Sequence, residues 1–238
     1  MSIAAEKTVR ELALENPAAT RVFEKLGIDY CCGGGRSLEQ ACKEAHVPIE
    51  RVETSLAEAP RVEAGRDWAA EPLFELAAHI RNTHHRYKRD EIKRLGPLFE
   101  KVCSVHWKNH PELLELRVTF DRLAQELRMH MVKEEAVLFP YIERMEESVV
   151  AHEPVLPPPF GAVRNPVAMM MREHDDAGTA LREMRDTSHG YTAPADACLS
   201  YQTLYRALAE FEADLHQHIH LENNILFPRA VELERATG

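Results

Sequence analysis

Apolar residues recur every three to four positions along most of the chain, which is the spacing of an α-helix, and no stretch alternates in the manner of a strand. The pattern predicts short helices over about residues 8–56 and long amphipathic helices over about residues 72–233. We therefore predict an all-α fold, in which an up-down-up-down four-helix bundle follows a small helical N-terminal domain. The predicted boundaries are residues 1–60 for the small domain, 61–70 for a linker and 71–238 for the bundle.

Capping residues mark the ends of the short helices. Thr8 and Ser37 can each accept a hydrogen bond from a backbone N–H of the helix that follows, and Gln40 completes a capping-box pattern behind Ser37. Gly27 suits the left-handed backbone conformation that commonly ends a helix. These signals predict a helical unit of roughly fifty residues, which buries little surface by itself.

Prolines and glycines divide the long helices. Gly96-Pro97 should break or kink the first of them, and a second helical piece should then run to about His106. The proline-rich segment 151–166 predicts a long loop before the third helix, and segment 188–194 predicts a short turn before the fourth.

An eleven-residue pattern, H-x-x-x-E-x-x-x-L-F-P, begins once at His130 and again at His218. Residues four apart on an α-helix lie about 40° apart around its axis and about 6 Å along it, so the His and the Glu of each copy point the same way. Another histidine precedes each copy, His85 by 45 residues and His174 by 44. In a four-helix bundle these side chains would converge as the ligand set of a carboxylate-bridged di-metal site. The candidate metal ligands are His85, His130, Glu134, His174, His218 and Glu222.

The alternative interpretation is that these polar residues lie on the solvent face and that Leu-Phe-Pro only packs a helix end. Against it, the ligand candidates share their stripe with apolar residues such as Leu127 and Leu215, which face a core where unpaired ionisable groups are costly. Nitrogen and carboxylate ligands without a thiolate suit iron or manganese better than structural zinc. Glu134 and Glu222 would bridge two ions, with two histidines on each ion. This arrangement leaves room for an oxo or hydroxo bridge and an open position for O2 or NO.

Two further histidines lie near the first candidate ligand along the chain. His84 neighbours His85 but points about 100° away around the helix, so we prefer His85. His106 would lie about 31 Å from His85 along one continuous helix. It could bind metal only if the chain turned back at Gly96-Pro97, so we interpret His106 as a residue that supports the site or the fold.

Several motifs resemble those of a known family. The N-terminal segment from Asp29 to Cys42 is similar to the cysteine-pair domain of the bacterial repair-of-iron-centres proteins, the YtfE/ScdA type. Residues 130–135, 173–175 and 218–224 are similar to that family's hemerythrin-like bundle motifs, and this likeness covers most of residues 71–232. The resemblance implies a di-iron protein that helps restore iron–sulfur clusters after nitrosative or oxidative damage, with damaged iron–sulfur proteins as clients. For this family both iron donation and reduction of NO to N2O have been proposed, and spacing alone shows neither activity.

Cys31 and Cys32 are adjacent in a glycine-rich segment. Neighbouring Cα atoms are about 3.8 Å apart, which is below the comfortable range for a disulfide. The glycines predict an exposed turn, and the helix start at Ser37 favours a thiolate by lowering the thiol pKa. We predict a redox or metal-relay pair that hands iron or electrons between the bundle and a client. The alternative is two buried small hydrophobic residues, the usual fate of a free cysteine.

Composition narrows the classes of partner. The formal net charge of −10 argues against nucleic acid binding, and no apolar run is long enough to predict a membrane helix. The N-terminus has no hydrophobic signal core, and the five cysteines show no disulfide-framework spacing, so we expect a cytoplasmic protein with free thiols. We also expect a monomer or a homodimer. The competing functional hypothesis is a hemerythrin-like O2 or NO binder or sensor without turnover. The cysteine domain favours repair over this hypothesis.

Overall fold

The computed structural model describes residues 6–16, 18–59 and 66–237, and helices dominate all three segments, so the all-α prediction is confirmed. The N-terminal helices are α1 Val9–Glu15, α2 Ala19–Leu26, α3 Leu38–Glu44 and α4 Ile49–Glu58. The bundle helices are α5 Leu73–His79, α6 Arg86–His106, α7 Glu112–Lys133, α8 Phe139–Val150, α9 Arg164–Thr187, α10 Leu199–Leu221 and α11 Phe227–Thr237.

Three π-helical stretches join these pieces into long helices. They are Ile80–His85 between α5 and α6, Glu134–Leu138 between α7 and α8, and Glu222–Leu226 between α10 and α11. A π-helical stretch is rare and is frequently found at functional sites. With α9 as the remaining member, the bundle consists of four long helices, as predicted.

The predicted caps hold the N-terminal helices in place. Thr8 and Glu11 form a capping box at the start of α1, and the Ser37 hydroxyl accepts a hydrogen bond from the N–H of Gln40. Gly27 has the left-handed φ of 68° that was expected at the end of α2. The four helices surround a small apolar core of their own. Residues 61–65 of the predicted linker lie outside the described residues, and the domain boundaries remain a prediction.

A polar layer divides the bundle between two apolar cores. α7 packs mainly against α9 and α6 against α10, with a large core at one end that includes Phe99, Phe120 and Phe211. A second core at the other end includes Ile80 and Phe139. On each long helix, the candidate metal ligands fall between residues of these two cores.

The predicted break at Gly96-Pro97 is wrong, because α6 runs without interruption from Arg86 to His106. Proline cannot donate a backbone hydrogen bond, which usually disfavours it inside a helix. Here Leu95 and Phe99 flank the pair and are completely buried, so packing outweighs the lost bond. His106 therefore stays at the far end of the bundle, where its Nε2 lies 3.2 Å from Sγ of Cys198.

The N-terminal domain rests against the fourth long helix of the bundle. Asn224 donates to the carbonyl of Tyr30 at 3.0 Å and accepts from Nε of Arg10 at 2.9 Å. His216 lies 2.9 Å from a carboxylate oxygen of Glu24. These contacts place the cysteine segment directly beside the polar layer.

Candidate metal centre

The structure brings all six predicted ligands together in the polar layer, each at most 2% exposed. Their donor atoms form two groups, and within each group every atom lies within 4.8 Å of the others. One group contains His85 and His218, and the other contains His130 and His174. Glu134 and Glu222 belong to both groups. This is the arrangement that two ions sharing two carboxylates would require.

The π-helical stretches coincide with the ligands. Glu134 and Glu222 each open one stretch, and His85 closes the third. The Leu-Phe-Pro element that follows each carboxylate also contributes to the site. Phe139 stacks on the imidazole of His85 at 5.7 Å between ring centroids, and Phe227 stacks on His174 at 6.0 Å. The repeated motif therefore supplies both a ligand and an aromatic ring that packs on another ligand.

Three of the four imidazoles have a fixed orientation. Nδ1 of His85 lies 2.7 Å from Glu135, and Nδ1 of His130 lies 2.8 Å from Glu173. Nδ1 of His174 lies 2.8 Å from Oδ1 of Asn223. These partners accept hydrogen bonds, so in the neutral ring the proton is on Nδ1 and the Nε2 lone pair points into the centre.

The centre is consequently rich in acceptors that face one another. Nε2 of His130 lies 3.0 Å from Nε2 of His174, and both oxygens of Glu134 lack a hydrogen-bond donor. Buried acceptors without donors are unstable unless a cation is present. Two nitrogens about 2.1 Å from one ion and at right angles to each other would be about 3.0 Å apart. The residues present thus fit a metal ion in each half of the centre.

Two of the histidines could balance the negative charge of the two carboxylates when no metal is bound. Burial lowers the pKa of His85 and His130, but the neighbouring carboxylates, Glu134 above all, outweigh burial and raise these pKa values to about 9 and about 10. Burial lowers the pKa of His218 to about 4. In the metal-free protein, protons on His85 and His130 would balance the negative charge of the two carboxylates. A cation would take the place of these protons, so metal uptake should release them.

The residues that orient the imidazoles were not identified from the sequence. Glu135, Glu173 and Asn223 each stand next to a candidate ligand in the chain. That adjacency is a usable signal, because metal-bound histidines commonly donate their second ring N–H to a carboxylate or carbonyl. The remaining histidines lie outside the two donor groups. His84 contacts Asp214 at 2.9 Å, and His220 contacts Asn224 at 2.9 Å.

The cysteine pair lies beside the centre, but it does not have the expected exposure. Cys31 is only 5% exposed and Cys32 is half-buried, with their sulfur atoms 3.8 Å apart. The hydrogen bond to Cys32, burial and the charge of Asp29 raise the pKa of Cys31 well above its usual value. The expectations of an exposed turn and of a lowered pKa are therefore wrong for Cys31. The segment is packed against α9 rather than open to solvent.

One amide connects the cysteine segment to the centre. Asn223 donates through Nδ2 to the carbonyl of Cys31 at 3.4 Å, while its Oδ1 accepts from Nδ1 of His174. Sγ of Cys32 also lies 3.5 Å from the carbonyl oxygen of His174. A displacement of the cysteine segment would therefore also shift His174, a candidate metal ligand.

Comparison with known proteins agrees with this geometry. Residues 76–230 match the model of the hemerythrin HHE cation binding domain, and residues 5–60 match a domain of unknown function, ScdA_N or DUF542. An iron-sulfur cluster repair protein YtfE from Musicola paradisiaca is 36% identical, and the alignment covers 96% of this chain and 98% of that protein. A probable iron-sulfur cluster repair protein from Haemophilus influenzae is 33% identical, with 97% and 99% covered. The chain belongs to this YtfE family. Its bundle is a hemerythrin-type cation-binding domain.

Proposed function

We propose that this chain is a di-iron protein that takes part in repairing iron–sulfur clusters damaged by nitrosative or oxidative stress. The observation that carries the proposal is the pair of buried donor groups sharing Glu134 and Glu222. Support also comes from the relatives, which are named for iron-sulfur cluster repair and match the chain through both domains. The clients would be damaged iron–sulfur proteins, in the cytoplasm. Among the described residues, none of the helices is long and apolar enough to cross a membrane.

In this proposal His85 and His218 hold one ion and His130 and His174 hold the other. Glu134 and Glu222 would be the carboxylates that the two ions share, and an oxo or hydroxo group would complete the bridge. Iron is favoured because the donors are imidazoles and carboxylates with no thiolate among them. Bound iron supplies exchangeable metal and one-electron redox chemistry. The protein contributes the buried carboxylates, the oriented imidazoles and the exclusion of bulk water.

Two activities fit this assignment: donation of iron to a damaged cluster and reduction of NO to N2O. Cys31 and Cys32 would act as the acceptor or relay between the bundle and the client. The contact of Sγ of Cys32 with the carbonyl of His174 supports such a role. The competing function is O2 or NO binding without turnover. It does not explain why a cysteine domain packs beside the centre.

The test uses the full chain, loaded with iron and reduced without oxygen. Treatment with NO followed by measurement of N2O tests reduction, and reactivation of a damaged aconitase-type enzyme tests repair. The Cys31→Ser/Cys32→Ser variant should keep the optical spectrum of the iron site, because none of the six proposed ligands is altered. Its repair or turnover should fall. Stable binding of NO with neither N2O nor reactivation would favour the sensor instead.

A further inference from the structure

The two halves of the bundle can be compared residue by residue, because the ligand pattern repeats. His85 corresponds to His174 at an offset of 89 residues, and His130 corresponds to His218 at an offset of 88. With the same offsets, Lys88 corresponds to Ala177. In the same way, Phe211 corresponds to Leu123, Asp214 to Glu126 and Tyr87 to Asp176. The residues that surround one pair of histidines can therefore be compared directly with those at the equivalent positions around the other pair.

The face formed by α6 and α10 is filled. Lys88 is completely buried, and its ammonium lies 5.0 Å from the ring centroid of Phe211. It forms an ion pair with Asp214, which also lies 2.9 Å from Nδ1 of His84. The ring of His84 is stacked on that of His218, with centroids 5.8 Å apart and planes 5° apart. Charged and aromatic groups therefore cover this side of the His85–His218 pair.

The corresponding face between α7 and α9 is hollow. Small or shorter residues, Ala177 and Leu123, occupy the places of Lys88 and Phe211. A cavity of about 400 Å³ lies there, and both His130 and His174 line it. Three carboxylates line the same cavity: Glu126, Glu173 and Asp176. Glu173 is already held by His130 and Lys133, so Glu126 and Asp176 supply the oxygen atoms that a cation could meet between these histidines and the surface.

We infer that the two halves of the centre differ in access, so that the His130–His174 position exchanges its ion through this cavity while the His85–His218 position retains its ion. The inference rests on the proposed function, because it states which of the two iron ions of the proposed centre can be exchanged. A chelating group of a client, such as a cysteine or a cluster sulfide, would withdraw metal from the His130–His174 half. The ligand class for the cavity is therefore a small metal chelator.

The experiment first measures the iron content of the anaerobically loaded ferrous protein and then its release to a colorimetric chelator. We expect iron release in two kinetic phases, each corresponding to one iron ion per chain. Ala177→Leu places a larger side chain at the cavity wall, and Asp176→Tyr places at its exposed rim the residue found at the equivalent position of the other half. Each variant should slow the fast phase by about tenfold and leave the slow phase unchanged. Thr179→Leu, an exposed position on α9 outside the cavity lining, should change neither phase.

Imidazole labelling with diethylpyrocarbonate, read by mass spectrometry after the first equivalent has left, identifies the emptied half. His130 and His174 should be labelled before His85 and His218. Release in a single phase, labelling of His85 and His218 first, or an unchanged fast phase in both cavity variants with native circular dichroism would overturn the inference while leaving the di-iron assignment intact. A chain that never takes up two ions would overturn the proposed function itself, and this inference with it.

Discussion

The first and second halves of the bundle supply the same kinds of candidate ligand, yet they surround those ligands differently. Glu135 orients His85 and carries a salt bridge to Arg89, whereas the corresponding Asn223 orients His174 and reaches the cysteine segment. A carboxylate in the first half thus becomes an amide in the second, where the partner is a backbone carbonyl that needs a donor. The donor groups at the centre are alike in both halves because coordination requires it. The residues behind them differ because each half faces a different neighbour.

The largest expected effect is the loss of metal on removing either of the two carboxylates that both halves share. Glu134→Ala and Glu222→Ala each remove a carboxylate that belongs to both donor groups, so both variants should lower the metal content and the oxo-bridge absorption. The two losses should be similar, because neither carboxylate belongs to one half alone. Elemental analysis with an optical spectrum measures this. If both variants still held two ions, the bridging assignment would be wrong.

Removal of the metal should loosen both halves together. Without metal, only protons on His85 and His130 balance the buried carboxylates, whereas a ligand present at 1,000 times its Kd stabilises a fold by about 4 kcal/mol. Chelation should therefore lower the melting temperature, with amide exchange increasing in the bundle more than in the N-terminal domain. Equal melting of the apo and iron-loaded forms would contradict this prediction.

The filled face should be the more sensitive of the two to loss of a charge. Lys88→Met removes one member of a buried ion pair and leaves Asp214 without its cation, which should cost about 3 kcal/mol of unfolding free energy. Adding Asp214→Asn should recover much of the loss, because no uncompensated charge remains. Urea unfolding of the single and double variants, with Arg86→Met as an exposed control, measures the difference. Equal stability of Lys88→Met and the control would show that the pair is dispensable.

The smallest effect separates the two orienting residues. Glu135→Ala and Asn223→Ala should each weaken metal binding by about 10- to 100-fold, since each leaves one imidazole without its Nδ1 partner. Only Asn223→Ala should also speed the reaction of Cys31 with a thiol reagent, because it frees the cysteine segment from the bundle. Competition for iron and timed thiol labelling measure both quantities. Equal thiol reactivity in the two variants would mean that Asn223 does not hold the segment.

The sequence by itself determined the helical fold and the composition of the centre. The repeated His-x-x-x-Glu spacing is local, because residues four apart on one helix must point the same way. The same reasoning separated His85 from His84, and the caps at Thr8, Ser37 and Gly27 were likewise local signals.

Only the tertiary structure decided what lies around those local signals. The continuity of α6 through Pro97 depends on the apolar core that Leu95 and Phe99 enter, and a local propensity does not contain that packing energy. Cys31 is buried in the apolar core of the bundle, and its carbonyl accepts a hydrogen bond from Asn223, which is 192 residues away along the chain. The contrast between buried Lys88 and the cavity beside Ala177 likewise arises between helices that are distant in sequence. Spacing fixes the direction of a side chain on its own helix, but what that side chain meets is set by the packing of the other helices.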